Sequence, residues 1–143
     1  MALTITAIEN VLRGRVGGWM DEAEMSKAAG SSDYDDPIGW AIRQAGYTTA
    51  DPTDPADSDL NNVATADYDK VFDLAEYRML ENIRQNYSKV NYTIGTRGNA
   101  SEQFEPMLLR IKEAIADKKE QLEEDYGFGS SQTSFNVFAA YPS

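Results

Sequence analysis

Thr65-Ala-Asp-Tyr-Asp-Lys-Val-Phe-Asp-Leu-Ala-Glu-Tyr-Arg-Met-Leu-Glu-Asn-Ile-Arg-Gln-Asn-Tyr-Ser-Lys-Val90, followed after a short turn by Ser101-Glu-Gln-Phe-Glu-Pro-Met-Leu-Leu-Arg-Ile-Lys-Glu-Ala-Ile-Ala-Asp-Lys-Lys-Glu-Gln-Leu-Glu-Glu-Asp-Tyr126, decides the fold of this 143-residue chain. On a wheel turned by about 100° per residue, Tyr68, Val71, Phe72, Ala75, Met79, Ile83, Tyr87 and Val90 gather on one side, the spacing of a core-facing stripe. Phe104, Met107, Leu108, Ile111, Ile115, Leu122 and Tyr126 do the same in the second segment, with steps of three and four that approach a heptad seam. The link, Asn91-Tyr-Thr-Ile-Gly-Thr-Arg-Gly-Asn-Ala100, has the length of a helix-to-helix connection. Two apolar stripes so joined predict a long antiparallel αα-hairpin over about 65–90 and 101–126.

The first arm carries more apolar surface than its stripe. Leu74 and Tyr77 point toward the opposite side and Leu80 lies between, so a lone hairpin would leave them wet. Either the N-terminal segments or a neighbouring subunit covers them, because burying each large side chain contributes about 1.5–3 kcal/mol. Ser101 reads as the N-cap of the second arm, with Pro106 placed in its opening turn. Its last turns, from Lys118 to Tyr126, are almost wholly charged apart from Leu122 and read as a solvated face. Glu120, Glu123, Glu124 and Asp125 could pair for acid-base chemistry, but no other side chain builds a site around them.

Upstream of the hairpin the signals are shorter. Thr4 is a plausible N-cap for a helix with Ile5, Ile8, Val11 and Leu12 on one face, which Arg13-Gly-Arg-Val-Gly-Gly18 is expected to end. Those glycines do not form a phosphate cradle, since no strand precedes them and no Lys-Ser/Thr follows. A second short helix is expected over Trp19–Ala29. A third should start at Asp35-Asp36-Pro37, with an acidic cap and Pro at N1, and run through Ile38, Ala41, Ile42 and Ala45 to a stop at Gly46. Residues 47–62, rich in Asp, Pro, Thr and Asn, read as a surface loop with little to bury. Asp57, Asp59 and Asn61 imitate the opening ligands of a calcium loop, but Asn62 stands where Gly is needed and Tyr68 where a bidentate Glu is needed. No metal is expected there. Thr65 or Asp67 is the expected cap of the first long arm.

Composition narrows the function. The chain has no cysteine and no histidine, which removes thiolate chemistry, disulfides, and the commonest acid-base residue and metal ligand. No enzyme activity and no cofactor are expected. No apolar run approaches the roughly 18 residues of a membrane helix, and the first residues lack the pattern of an export signal. The formal net charge is -11, with eleven acids against four bases in residues 1–64. Such a surface repels phosphate backbones, though it tolerates DNA that passes without sticking.

The end of the chain is different. From Gly127 to Ser143 no residue is charged, and Phe135, Val137, Phe138 and Tyr141 suit an extended strand better than a helix. Gly129, Ser130 and Ser131 supply a hinge. The expected organisation is a mainly α domain over 1–126, with a 47–64 loop, and an extended C-terminal arm over 127–143. That arm either folds back on its own bundle or adds to a partner's sheet edge or groove.

Three stretches, Thr65 to Ile83, Thr93-Ile-Gly-Thr-Arg97, and Leu122-Glu-Glu-Asp-Tyr-Gly-Phe-Gly129, resemble the head-tail connector adaptor proteins, or head-completion proteins, of tailed bacteriophages. The resemblance covers about the C-terminal half. It implies a structural virion protein of the neck, assembled in the host bacterial cytoplasm as a homo-oligomeric ring, commonly a dodecamer, under the portal protein. Such a ring continues the DNA channel, lets double-stranded DNA pass without specific binding, and docks the tail or stopper protein. It further implies that Phe128, Phe135, Val137, Phe138 and Tyr141 contact the portal and that Leu74, Tyr77 and Leu80 pack between subunits. From composition alone, a different function stays open: a small acidic helical protein that inhibits or mimics a nucleic-acid-binding partner.

Overall fold

A computed structural model describes residues 2–51, 53–95 and 101–128, without the side chains of 90–95 and 101–105. Four α-helices make a small bundle: α1 (Ile5–Glu22), α2 (Asp35–Gln44), α3 (Tyr68–Gly95) and α4 (Ser101–Tyr126), and no strand occurs among the described residues. The predicted antiparallel hairpin is present as α3 and α4. Its first arm is longer than expected, continuing through Gly95, so the first half of the predicted turn is helix. Val90 and Phe104, counted in the stripes, lie outside the described side chains.

α3 is the post around which the others stand. Val71, Leu74, Ala75, Tyr77, Met79, Leu80, Ile83 and Tyr87 are all buried, and successive steps of about 100° distribute them around nearly the whole circumference. α1 runs alongside α3 in the same direction, with the Leu3 amide donating to the Tyr68 hydroxyl and Arg15 reaching Asp73 and Glu76. α2 and α4 run the opposite way. Asp36 of α2 accepts from Arg78 and Asn82 of α3, while Tyr47, past the end of α2, donates to Asp67. Into this core go Ile8, Leu12, Val16 and Met20 from α1, Ile38, Ala41 and Ile42 from α2, and Ile111 and Leu122 from α4.

Leu74, Tyr77 and Leu80 are therefore core residues of a single chain, each below 10 % exposed. Of the two covers left open, the N-terminal helices fill the role. Their apolar character is thus accounted for by burial within one chain.

The N-terminal third departs most from its sequence pattern. α1 does not stop at the glycines; it continues to Glu22. Glycine costs a helix interior about 1 kcal/mol relative to alanine, but Val16 and Met20 lie one turn and two turns beyond Leu12 on the same buried face, and their burial outweighs that cost. The helix expected over Trp19–Ala29 is correspondingly absent. α1 closes with the Glu24 amide on the Asp21 carbonyl and the Met25 amide on that of Met20, which holds Glu24 at a left-handed φ of 57°. α2 starts at Asp35, so Pro37 sits within the first turn rather than at N1. Its end repeats the same two-bond closure at Gly46, whose φ of 100° suits glycine. Pro106 lies in the second turn of α4, not its opening one.

The 47–62 segment is less of a surface loop than its composition suggests. It contains a 3-10 turn (Asp57–Leu60) that drives Leu60 into the core at 0 % exposure, with Pro55 and Val63 also buried. A second 3-10 turn (Thr65–Asp67) leads into α3, and Asp67 spends its carboxylate on the Tyr47 hydroxyl at 2.5 Å.

Candidate functional site

Asp73 lies one turn before Tyr77 on a face of α3 that α4 and α1 both cover, so the helix has to take a carboxylate inside. It is 6 % exposed. A buried carboxylate is costly unless charges and donors surround it. Here Oδ1 accepts from Arg15 Nη1 of α1 and Lys118 Nζ of α4, both at 2.9 Å, and Oδ2 accepts from the Tyr126 hydroxyl at 2.7 Å and Gln121 Nε2 at 3.2 Å. Glu76, one turn along α3 from Asp73 and Leu80, takes the same two cations at 2.9 and 3.2 Å. Two positive and two negative side chains thus balance one another. The cluster joins three helices through one acid.

Burial pushes the Asp73 carboxyl up, but hydrogen bonds from Lys118, Tyr126 and Arg15 outweigh it and hold its pKa below the ordinary aspartate value. Burial, followed by the bond to Asp73, raises the Tyr126 hydroxyl well above its usual range. All four acceptor directions of the carboxylate are used, so it has no lone pair left for a substrate proton or a cation. The arrangement is a clamp between helices rather than an acid-base centre.

Four side chains of the clamp, Arg15, Glu76, Lys118 and Gln121, line a groove of about 350 Å³ between α1 and α4. Val16 and Trp19 of α1, Leu80 of α3 and Ala114 of α4 give it an apolar wall, and Arg15, Lys118 and Asp117 a polar rim. Trp19 remains half-buried there.

The same helix end is held a second time. Gly127, at φ 69°, turns the chain so that the Phe128 amide donates to the Leu122 carbonyl, and the Phe128 ring lands edge-on against Trp40 and Tyr77 at centroid distances of 5.8 and 5.7 Å. Arg78 stacks over the Trp40 ring, 5.6 Å from its centroid, while its Nε pairs with Asp36. Phe128, expected at the start of the portal contact, is thus an anchor on the chain's own body. Phe135, Val137, Phe138 and Tyr141 lie outside the described residues.

The residues of the imitation calcium loop turn to backbone work. Asp57 accepts from the Ile5 amide at 2.8 Å, in the first turn of α1 where a negative charge is favoured. Asp59 ties the Ala50 and Ala56 amides, one to each oxygen, and Asn61 is exposed. Buried Glu9 likewise holds the Gly30 amide. Among the described residues no group of three or more carboxylates, histidines or cysteines is arranged to hold a metal ion, and no helix is long and apolar enough to cross a membrane.

Sequence reasoning did not single out Asp73, Arg15, Lys118, Gln121 or Tyr126 as a unit. The available signal was Asp73 itself, an acid with the apolar Tyr77 and Leu80 one and two turns on along its helical face. No protein-family model, no curated protein and no solved structure matches the chain.

Proposed function

We propose that the chain is a structural adaptor of the head-tail connector kind in tailed bacteriophages. It would assemble with copies of itself into a ring under the portal protein and receive a tail or stopper protein below. On this reading it performs no catalysis and uses no cofactor. The observation that carries the proposal is the double fixing of the end of α4, by Tyr126 on Asp73 and by Phe128 on Trp40 and Tyr77. The helical body is thereby fixed up to Phe128, the residue before the uncharged segment 129–143 with its Phe135, Val137, Phe138 and Tyr141. The resemblance of three stretches within 65–129 to connector adaptors gives that segment its partner, the portal. The net charge of -11 suits a channel wall past which DNA must move without binding.

A chain ending at Phe128 is the test, because the cut leaves the aromatic anchor in place. The truncated protein should keep its helical circular dichroism and melting temperature and lose attachment to portal-bearing capsids. Normal attachment by the truncated chain would overturn the assignment of the arm.

A further inference from the structure

We propose that the groove between α1 and α4 receives an apolar side chain of a basic amphipathic helix from a partner protein. This does not depend on the adaptor reading. Trp19 and Ala114, both half-buried, give the groove its accessible apolar surface above the buried Val16 and Leu80, and its volume of about 350 Å³ falls in the range of real binding clefts. Trp19, half-buried beside a cleft, is the residue type that most often anchors an interface.

Charge identifies the occupant. Glu113, Asp117, Glu120 and Glu124 follow one another at steps of four, three and four, which places them in a single line along α4, with Asp117 on the rim of the groove. All four are exposed, and none makes an ion pair with another described residue. Like charges one turn apart repel by a few tenths of a kcal/mol per pair, and no cation among the described residues pairs with them. A second helix laid along the line, with Lys or Arg at the same spacing and a Leu or Phe toward Ala114 and Trp19, would match the charges and fill the cleft. Nucleic acid and anionic membranes carry the wrong sign.

The probe is a Leu/Lys amphipathic helical peptide of about 18 residues, fluorescently labelled, with anisotropy measured against the full chain. Ala114→Phe, which fills the groove, and Asp117→Lys, which reverses the rim, should each weaken binding about tenfold. Asp54→Lys, an equal charge change on an exposed residue away from α4, should weaken it less than about twofold. Unchanged melting temperatures show that the variants fold. Four results would overturn the proposal. One is absence of binding. A second is an equal loss with Asp54→Lys, which means attraction by net charge alone. In a third, removing residues 129–143 strengthens peptide binding, so that the chain's own tail is the occupant. In the fourth, Ala114→Phe dissolves a self-association seen by sedimentation, so that a second copy is the occupant.

Discussion

Replacing Asp73 by Asn removes the charge at the centre of the three-helix clamp while keeping its shape. The cost can be assembled from the partners. Arg15 is 38 % exposed, so its pair with Asp73 contributes no more than about 1 kcal/mol. Lys118, at 10 %, is the buried cation, and orphaning such a charge completely costs about 3–5 kcal/mol. It is not orphaned in the variant, because Glu76 lies 3.2 Å and Gln121 Oε1 2.8 Å from its Nζ. The Tyr126 hydroxyl can still donate to the Asn oxygen. Asp73→Asn should therefore lower stability by about 2 kcal/mol, and Asp73→Ala, which also leaves the Tyr126 hydroxyl without its acceptor, by about 3–4 kcal/mol.

Urea unfolding followed by circular dichroism at neutral pH measures both. The pH dependence is a second readout. The folded pKa of Asp73 is held below its unfolded value of about 3.9, so its contribution is complete above about pH 5 and fades as pH falls through the folded value. The gap between the native chain and Asp73→Asn should close in acid. A loss under about 0.5 kcal/mol at neutral pH, or a gap that stays constant into acid, would refute the clamp.

Three further substitutions examine the fold itself. Gly14→Ala and Gly18→Ala meet nothing within 4 Å, so inside a continuous α1 each should raise stability by about 0.5–1 kcal/mol in thermal melts; if the chain turned at these glycines, alanine would destabilise it. Leu80→Ala should cost the isolated monomer about 2–5 kcal/mol in urea titration, independent of protein concentration, whereas a side chain reserved for a neighbouring subunit would leave monomer stability nearly unchanged.

The hairpin was legible because its information is local: two stripes at helical spacing and a link of ordinary length. The N-terminal helices were harder for a physical reason. Gly14, Gly17 and Gly18 predict an ending from backbone entropy, and only the partner helix supplies the burial of Val16 and Met20 that reverses it. The continuing period of four from Ile8 through Leu12 and Val16 to Met20 was the sign of it. Leu60 was hidden among Asp, Pro and Asn in the same way, a single apolar residue whose position in the core depends on a 3-10 turn. The clamp was the least legible feature. Arg15, Asp73 and Lys118 stand 58 and 45 positions apart, and helical periodicity carries nothing across such distances.

The central placement of α3 has a consequence for how the chain is made. During synthesis α1 and α2 leave the ribosome first, yet the helix they must cover begins at Tyr68. Until it arrives, Ile8, Leu12, Ile38 and Ile42 have no surface to close on, and the contacts between α1 and α3 span 58 to 65 residues. The early part of the chain therefore waits unfolded with its apolar residues open to water and to chaperones. Its eleven acids against four bases keep such a waiting segment soluble. The earlier half of the chain can complete its core only once α3 supplies the surface on which it packs.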